Sequence, residues 1–225
     1  MSSVIVETLK MTKDGNGINL VEIAQAARTT PEVAVRVLGK FLKMENPNGT
    51  RLDSSARFTL ASEAVRLGAL QAVLRALTWQ EFETFSEECL GRAGFETQKG
   101  LIFKDGRRRW QVDMIARRGQ IMLVLDCKHW ESPNYSSKFY AAVRHHKQSL
   151  GPLVRHMKIR GLLGNHQDVW ALPVIITLFE PRVSLLDGVV LASVAQLGDF
   201  LEHVTPYDSN LPFVSVPHIV ESPIS

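Results

Sequence analysis

Apolar positions recur at helical spacing through the first part of the chain and gather into strand-like runs after it. Residues 19–27 place Leu20, Ile23, Ala24 and Ala27 on one helical face at i, i+3, i+4, i+7. After a short turn, Thr30 and Pro31 carry the N-cap and first-position signals of a second helix. Its stripe is Val33, Val37, Leu38 and Leu42, with Phe41 beside it. The stretch ENPNGTRLDSSARFTLA (45–61) is rich in turn residues, and Asn48-Gly49 predicts a hairpin. Residues 62–77 then read as a connecting helix. Thr78 and Glu81 form a capping box for a further helix whose buried stripe is Trp79, Phe82, Phe85, Cys89 and Ala93. Glu83 and Glu87 share another face of it, and Gly94 ends it.

Three strands are predicted next: TQKGLIF, then RRRWQVDMIA after the turn KDGR, then IMLVLDCKHW after RRGQ. Alternation puts Val112, Met114 and Ala116 on one side of the second strand, with Asp113 and Ile115 on the other. In the third strand Asp126 and Lys128 share a face, and Cys127 turns the opposite way as a core residue rather than a nucleophile. The hairpin through Arg117-Arg118-Gly119 brings Asp113 and Asp126 toward its open end. Two carboxylates with a helix glutamate, Glu83 or Glu87, make an oxygen-rich set suited to Mg²⁺ or Mn²⁺. The runs PVIITLF and GVVLAS predict later strands, and VAQLGDFLEHV a closing helix.

Composition bounds the class. The chain has 225 residues, 45% apolar and 22% charged, as expected of a globular protein with a real core. Cys89 and Cys127 are the only cysteines and form no CxxC pair. This excludes a disulfide framework or a structural zinc site and suits a cytoplasmic location. No apolar run is long enough to span a membrane. Charge is unevenly spread. Ten basic residues face seven acidic ones over 1–75, 15 face nine over 76–160, and one faces seven over 161–225. The positive excess of the first two segments suits an anionic partner such as DNA.

Two resemblances follow from these residues. Residues 3–62, as a leading helix, a helix pair and a small β-wing, resemble a winged helix-turn-helix domain. In such a domain Arg36 and Lys40, one turn apart on the second helix, would meet DNA. The order helix glutamate, Asp113, then Asp126-x-Lys128 resembles the PD-(D/E)xK nuclease superfamily, nearest to Mrr-type restriction endonucleases and archaeal Holliday-junction resolvases. Val112 stands where the name-giving proline would. The resemblance implies an α/β, restriction-endonuclease-like mixed sheet flanked by helices. It implies a site of Glu83, Asp113, Asp126 and Lys128, with Glu83 (or Glu87) joining the aspartates on Mg²⁺ or Mn²⁺. Arg107, Arg108, Arg109, Arg144, Lys147 and Gln148 are the expected DNA contacts of that domain. His145 and His146, adjacent and so on different parts of a helix surface, receive no role.

The expected layout is a winged-helix domain over 1–63, a linking helix over 64–77, the nuclease-like domain over 78–205 and an extended tail over 206–225. The expected function is metal-dependent DNA endonuclease. The alternative is a DNA-binding regulator or architectural protein on a silent nuclease fold, and action on RNA is a third reading. Relatives that cut both strands often act as dimers, which leaves a homodimer open.

Overall fold

The computed structural model describes residues 1–128, 137–163 and 168–216. The chain forms two compact units, Met1–Phe85 and Ser86–Ser225.

The first unit is helical: α1 (Ser2–Met11), α2 (Leu20–Ala26), α3 (Pro31–Leu42), α4 (Ser54–Arg66), α5 (Leu70–Ala76) and the start of α6 (Trp79–Arg92). Caps set the boundaries that the sequence suggested. Asn19 accepts from the Val21 and Glu22 amides, and the Thr30 hydroxyl accepts from the Val33 amide. Ala34, Val37 and Leu38 are the buried residues of α3, so the buried face is turned from Val33 toward Ala34.

The expected β-wing is replaced by a helix. Asp53 caps Ala56 and starts α4 inside the stretch read as turn and strand. Asn48-Gly49 closes no hairpin. The Asn48 side chain instead accepts from the Leu20 amide, and a single bridge, Gly17 with Arg51, is the strand pairing among the described residues of this unit. A Cβ on Gly17 would stand 2.7 Å from the Gly49 carbonyl oxygen, so only glycine fits there. The connecting helix is also divided: Gly68, at φ +83°, separates α4 from α5.

Arg57, on α4, explains why this unit extends past residue 63 to Phe85. Its buried guanidinium donates to the carbonyls of Leu9 (2.9 Å) and Ala76 (3.3 Å), to the Thr12 hydroxyl, and to both carboxylate oxygens of Glu81. Glu81 also completes the Thr78 capping box, accepting from the Thr78 amide at 2.8 Å. Burial alone would raise the Glu81 pKa, but the Arg57 and Thr78 hydrogen bonds hold it below the usual range.

The second unit is mixed α/β. It contains β1 (Glu96–Asp105), β2 (Arg108–Arg118), β3 (Ile121–Lys128), α7 (Ser137–Ile159), β4 (Val169–Thr177), β5 (Leu185–Leu186), β6 (Val189–Ser193), α8 (Val194–His203) and β7 (Val214–Val216). The seven strands form one sheet in the order β1-β2-β3-β4-β6-β5, with β7 on β4. β1, β2 and β3 are antiparallel, whereas β3, β4 and β6 run parallel. The sheet is thus mixed, as the sequence suggested. One edge of β4 pairs with β7 over Val169–Ala171 and with β6 over Val174–Thr177. Pro173, with no N–H to give, falls in the gap between them. Part of the expected tail is therefore sheet, and Pro217 and Pro223 lie outside the described residues.

Two adjacent arginines show which helix covers which face. Arg117 donates to the Leu162 and Leu163 carbonyls just past α7, at 2.8 and 3.0 Å. Arg118, pointing the other way, donates to the Ala93 carbonyl at the end of α6 (3.0 Å) and lies over the Phe95 ring. The C-terminal part of α6 and α7 thus flank opposite faces, and each arginine satisfies carbonyls that a helix end leaves open. Under α7 lies a core of Phe103, Trp110, Val112, Ile115, Met122, Val124, Leu150, Leu153 and Met157. No helix among the described residues is long and apolar enough to cross a membrane.

Candidate active site

The last paired residues of the β2–β3 ladder are Met114 and Leu125. The next opposite positions are Asp113 and Asp126. Asp113 accepts from the Cys127 amide at 3.0 Å, so β3 continues its hydrogen bonding through a side chain where the ladder stops. Across β2, Gly100 of β1 lies opposite Asp113, between the pairs Lys99–Met114 and Leu101–Val112, with φ +64°. Strict alternation would separate Val112 from Ile115, yet both belong to the core under α7. The phase slips at Asp113. Asp113, Asp126 and Lys128 therefore share the α7 face, while Cys127 is buried on the other side.

Lys128 Nζ lies 2.6 Å from Asp126 Oδ1, and the two side chains are only 29% and 14% exposed. Asp113 and Asp126 stand at opposite positions just past the ladder, close enough for each to act on the other's charge. Burial, followed by the Asp126 hydrogen bond and charge, raises the Asp113 pKa from an ordinary 3.8 to about 6. The Cys127 amide and Lys128 act the other way. Two carboxylates and one ammonium leave a single uncompensated negative charge in a half-buried place. A proton meets that need below about pH 6, and a divalent cation would meet it above. Asp113 and Asp126 fit such an ion, since Mg²⁺ is commonly held by one or two carboxylates with water completing its shell.

The third carboxylate is expected from α6, as Glu83 or Glu87. Among the described residues, no three His, Cys, Asp or Glu side chains come together as metal ligands. Glu87 is occupied elsewhere: Lys99 lies 2.6 Å from it and the Thr97 hydroxyl donates to it at 3.1 Å. Glu83 is half-buried one turn earlier on α6 and belongs to the first unit.

On α7, Lys147 is exposed and pairs with Asp187 at 2.9 Å, in the β5–β6 turn. Gln148 and Arg144 are exposed. His146, given no role from sequence, is instead the α7 residue closest to the acids' strand. It is buried, and its Nε2 lies 2.8 Å from the Val124 carbonyl, two residues before Asp126. Burial, ahead of the smaller fields around it, pulls the His146 pKa down to about 4. The neutral ring thus donates from Nε2 to that carbonyl. A signal was present in the sequence: Phe139, Val143, His146, Leu150, Leu153 and Met157 follow one helical stripe.

A basic group stands on the same face of the sheet as the acids. The Arg108 guanidinium lies 3.7 Å over the Trp110 ring, and the His145 ring centroid is 5.5 Å from it. Burial, then the charges of Arg108 and Lys128, lower the His145 pKa. Arg107 and Arg109 are exposed, as are Arg36 and Lys40 on α3 in the first unit.

No family model matches the sequence. An uncharacterized protein of Archaeoglobus fulgidus is 24% identical over 139 residues, covering 61% of this chain and 100% of that protein. Among solved structures, a protein of unknown function designated AF1548 is 19% identical with a TM-score of 0.29, over 50% of this chain and 57% of that one. VC1899 from Vibrio cholerae is 14% identical with a TM-score of 0.38, over 89% and 50%. The chain thus spans only about half the length of those two structures. Likeness of this size assigns neither a fold family nor a function.

Proposed function

We propose that the protein is a metal-dependent DNA endonuclease of the PD-(D/E)xK kind, with Asp113, Asp126 and Lys128 as its catalytic residues. The observation that carries this is the juxtaposition of Asp113 and Asp126 just past the last pair of the β2–β3 ladder, with Lys128 2.6 Å from Asp126, at the end of a central strand. The two carboxylates would hold Mg²⁺ or Mn²⁺. When bound, such an ion neutralises phosphate charge and makes a bound water acidic enough to attack. Lys128 places an ammonium where negative charge grows on the phosphoryl oxygens. Its pairing with Asp126 keeps it oriented before substrate arrives. Glu83 is the candidate third carboxylate. A DNA-binding role falls to the first unit, with Arg36 and Lys40 of α3 on DNA phosphates.

Cleavage of duplex and branched DNA with Mg²⁺ or Mn²⁺ tests this, comparing the wild type with Asp126→Ala and Lys128→Ala. The wild type should cleave and both variants should lose at least about 100-fold in rate, a typical cost of removing one electrostatic stabiliser. Equal residual cleavage in all three removes the assignment.

One observation favours a second reading, a DNA-binding protein with a silent nuclease fold. Lys128 and the Cys127 amide already partner the two carboxylates, and no third ligand joins them among the described residues. Calorimetry separates the two: the silent fold takes up no Mn²⁺, and the enzyme takes it up with a stoichiometry lost in Asp113→Asn.

A further inference from the structure

We infer that Arg108 and His145 form a phosphate seat beside the carboxylate pair, taking a backbone phosphodiester of the nucleic-acid strand next to the one being cut. The inference rests on the nuclease reading for the identity of the strand. The basic residues around the first hairpin turn look equivalent in sequence, but their surroundings differ. Arg108 shares the α7 face with Trp110, two residues on, and its guanidinium carbon lies 3.7 Å from the centre of that ring. Stacking orients the planar fork and leaves its N–H groups free for bidentate contacts. Among the described residues Arg108 has no carboxylate partner. The nearby Asp105 is taken by Arg155, at 2.6 Å.

His145 comes to the same ring from α7, and Trp110, only 6% exposed, acts as a fixed wall rather than a stacking surface for bases. Arg108 and His145 thus meet at one ring, and the charges of Arg108 and Lys128 both bear on His145. Only Lys128 has an acidic partner there, Asp126. Such a group is relieved by an anion. Asp113 and Asp126 repel anions, so the phosphate sits on the Arg108–His145 side and the metal on the other. Arg109, one residue along the strand, points to the opposite face, and Arg107 lies in the turn.

The test is binding without cleavage. Labelled duplex and single-stranded DNA are titrated with the full-length protein in EDTA across a salt series, for the wild type and for Arg108→Ala, Arg108→Lys, Arg109→Ala and His145→Ala. Arg108→Ala should weaken binding about tenfold and lower the slope of log affinity against log salt by about one. Arg108→Lys should restore the slope but only part of the affinity, and His145→Ala should weaken binding without altering the slope. Arg109→Ala should change both by less than half as much as Arg108→Ala. An unchanged slope in Arg108→Ala, or an equal loss in Arg109→Ala, overturns the inference. A second arm follows Trp110 fluorescence, against Trp110→Phe, during titration with inorganic phosphate. Quenching by DNA at far lower concentration supports a strand phosphate, and equal potency of free phosphate overturns it. Failure of the nuclease reading appears separately, as absent cleavage with Mn²⁺ while this binding pattern persists.

Discussion

Asp113→Asn should make the metal-free protein more stable at alkaline pH, although it removes a residue of the candidate active site. In the fold Asp113 holds its proton up to about pH 6, against an ordinary 3.8. Between those values the folded chain keeps a proton that the unfolded chain has lost, so stability falls as pH rises through that window. The cost is absent below about pH 4 and fully present above about pH 7. A difference of about two pH units corresponds to about 3 kcal/mol. Asp113 is half-buried, so solvent screening reduces this to about 1–2 kcal/mol. Asparagine has no proton to lose. It can accept from the Cys127 amide as Asp113 does, and its amide can donate to Asp126. Thermal unfolding in EDTA should place Asp113→Asn about 3–6 °C above the wild type at pH 8. The two should coincide near pH 4. Adding Mn²⁺ at pH 8 should raise the wild type and leave the variant unmoved. A variant less stable than the wild type at pH 8, or a gap that does not widen between pH 4 and pH 8, would refute the charge-pair argument.

Arg57→Ala leaves the Glu81 carboxylate uncompensated and two carbonyls open, so chemical denaturation should show a loss of about 3–5 kcal/mol in the first unit. Because the folded Glu81 pKa is depressed, the stability it contributes is present above the unfolded value and lost as pH falls; Glu81→Gln should therefore cost much at pH 7 and little at pH 3. His146→Leu strips the Val124 carbonyl of its buried donor and should cost about 1–3 kcal/mol by denaturant titration, with a weaker Mn²⁺ isotherm as β3 loosens. Cys127→Ala should cleave DNA at the wild-type rate, since the thiol lies on the face away from the acids; a large loss of rate would give Cys127 a part in the chemistry.

The two strands that carry the aspartates, and the strand before them, were readable because their signals are local. Alternation, turn glycines and the break from apolar to charged at Asp126 all lie within a few residues of one another. The first unit was harder for the opposite reason. Arg57 looks like part of a polar turn until Leu9, Thr12, Ala76 and Glu81 surround it, and those residues are distant in sequence. The Asn48-Gly49 pair misled because an asparagine that favours a hairpin can equally reach another helix's start, as it does at Leu20. On α7 the same helical stripe that buries Phe139 and Leu150 also buries His146. The adjacency of His145 to His146 masks that spacing in the sequence. One residue of rotation past His146 carries Lys147 out of that stripe, to Asp187.

The position of the acid pair follows from the pairing of β3. On one edge β3 is antiparallel to β2, so its end stands beside an earlier part of that strand, and Asp113 arrives opposite Asp126. On the other edge β3 is parallel to β4, with Asp126 beside Ile175 and Lys128 beside Thr177. A parallel pair needs a crossover, and the crossover here is α7. One strand end thus gathers a carboxylate from β2, a carboxylate and an ammonium from β3, and an imidazole from α7. Ending the β2–β3 ladder at Met114–Leu125 is what frees the two carboxylates to meet, and the Asp113 bond to the Cys127 amide keeps the exposed backbone satisfied. A substitution that lengthened the ladder by one pair would therefore disturb the site without touching either aspartate. Gly100, opposite Asp113 at φ +64°, is where that can be tried. Gly100→Val is strained in that conformation and favours regular strand geometry. It should lower Mn²⁺ affinity and cleavage together while leaving the first unit's stability as it is.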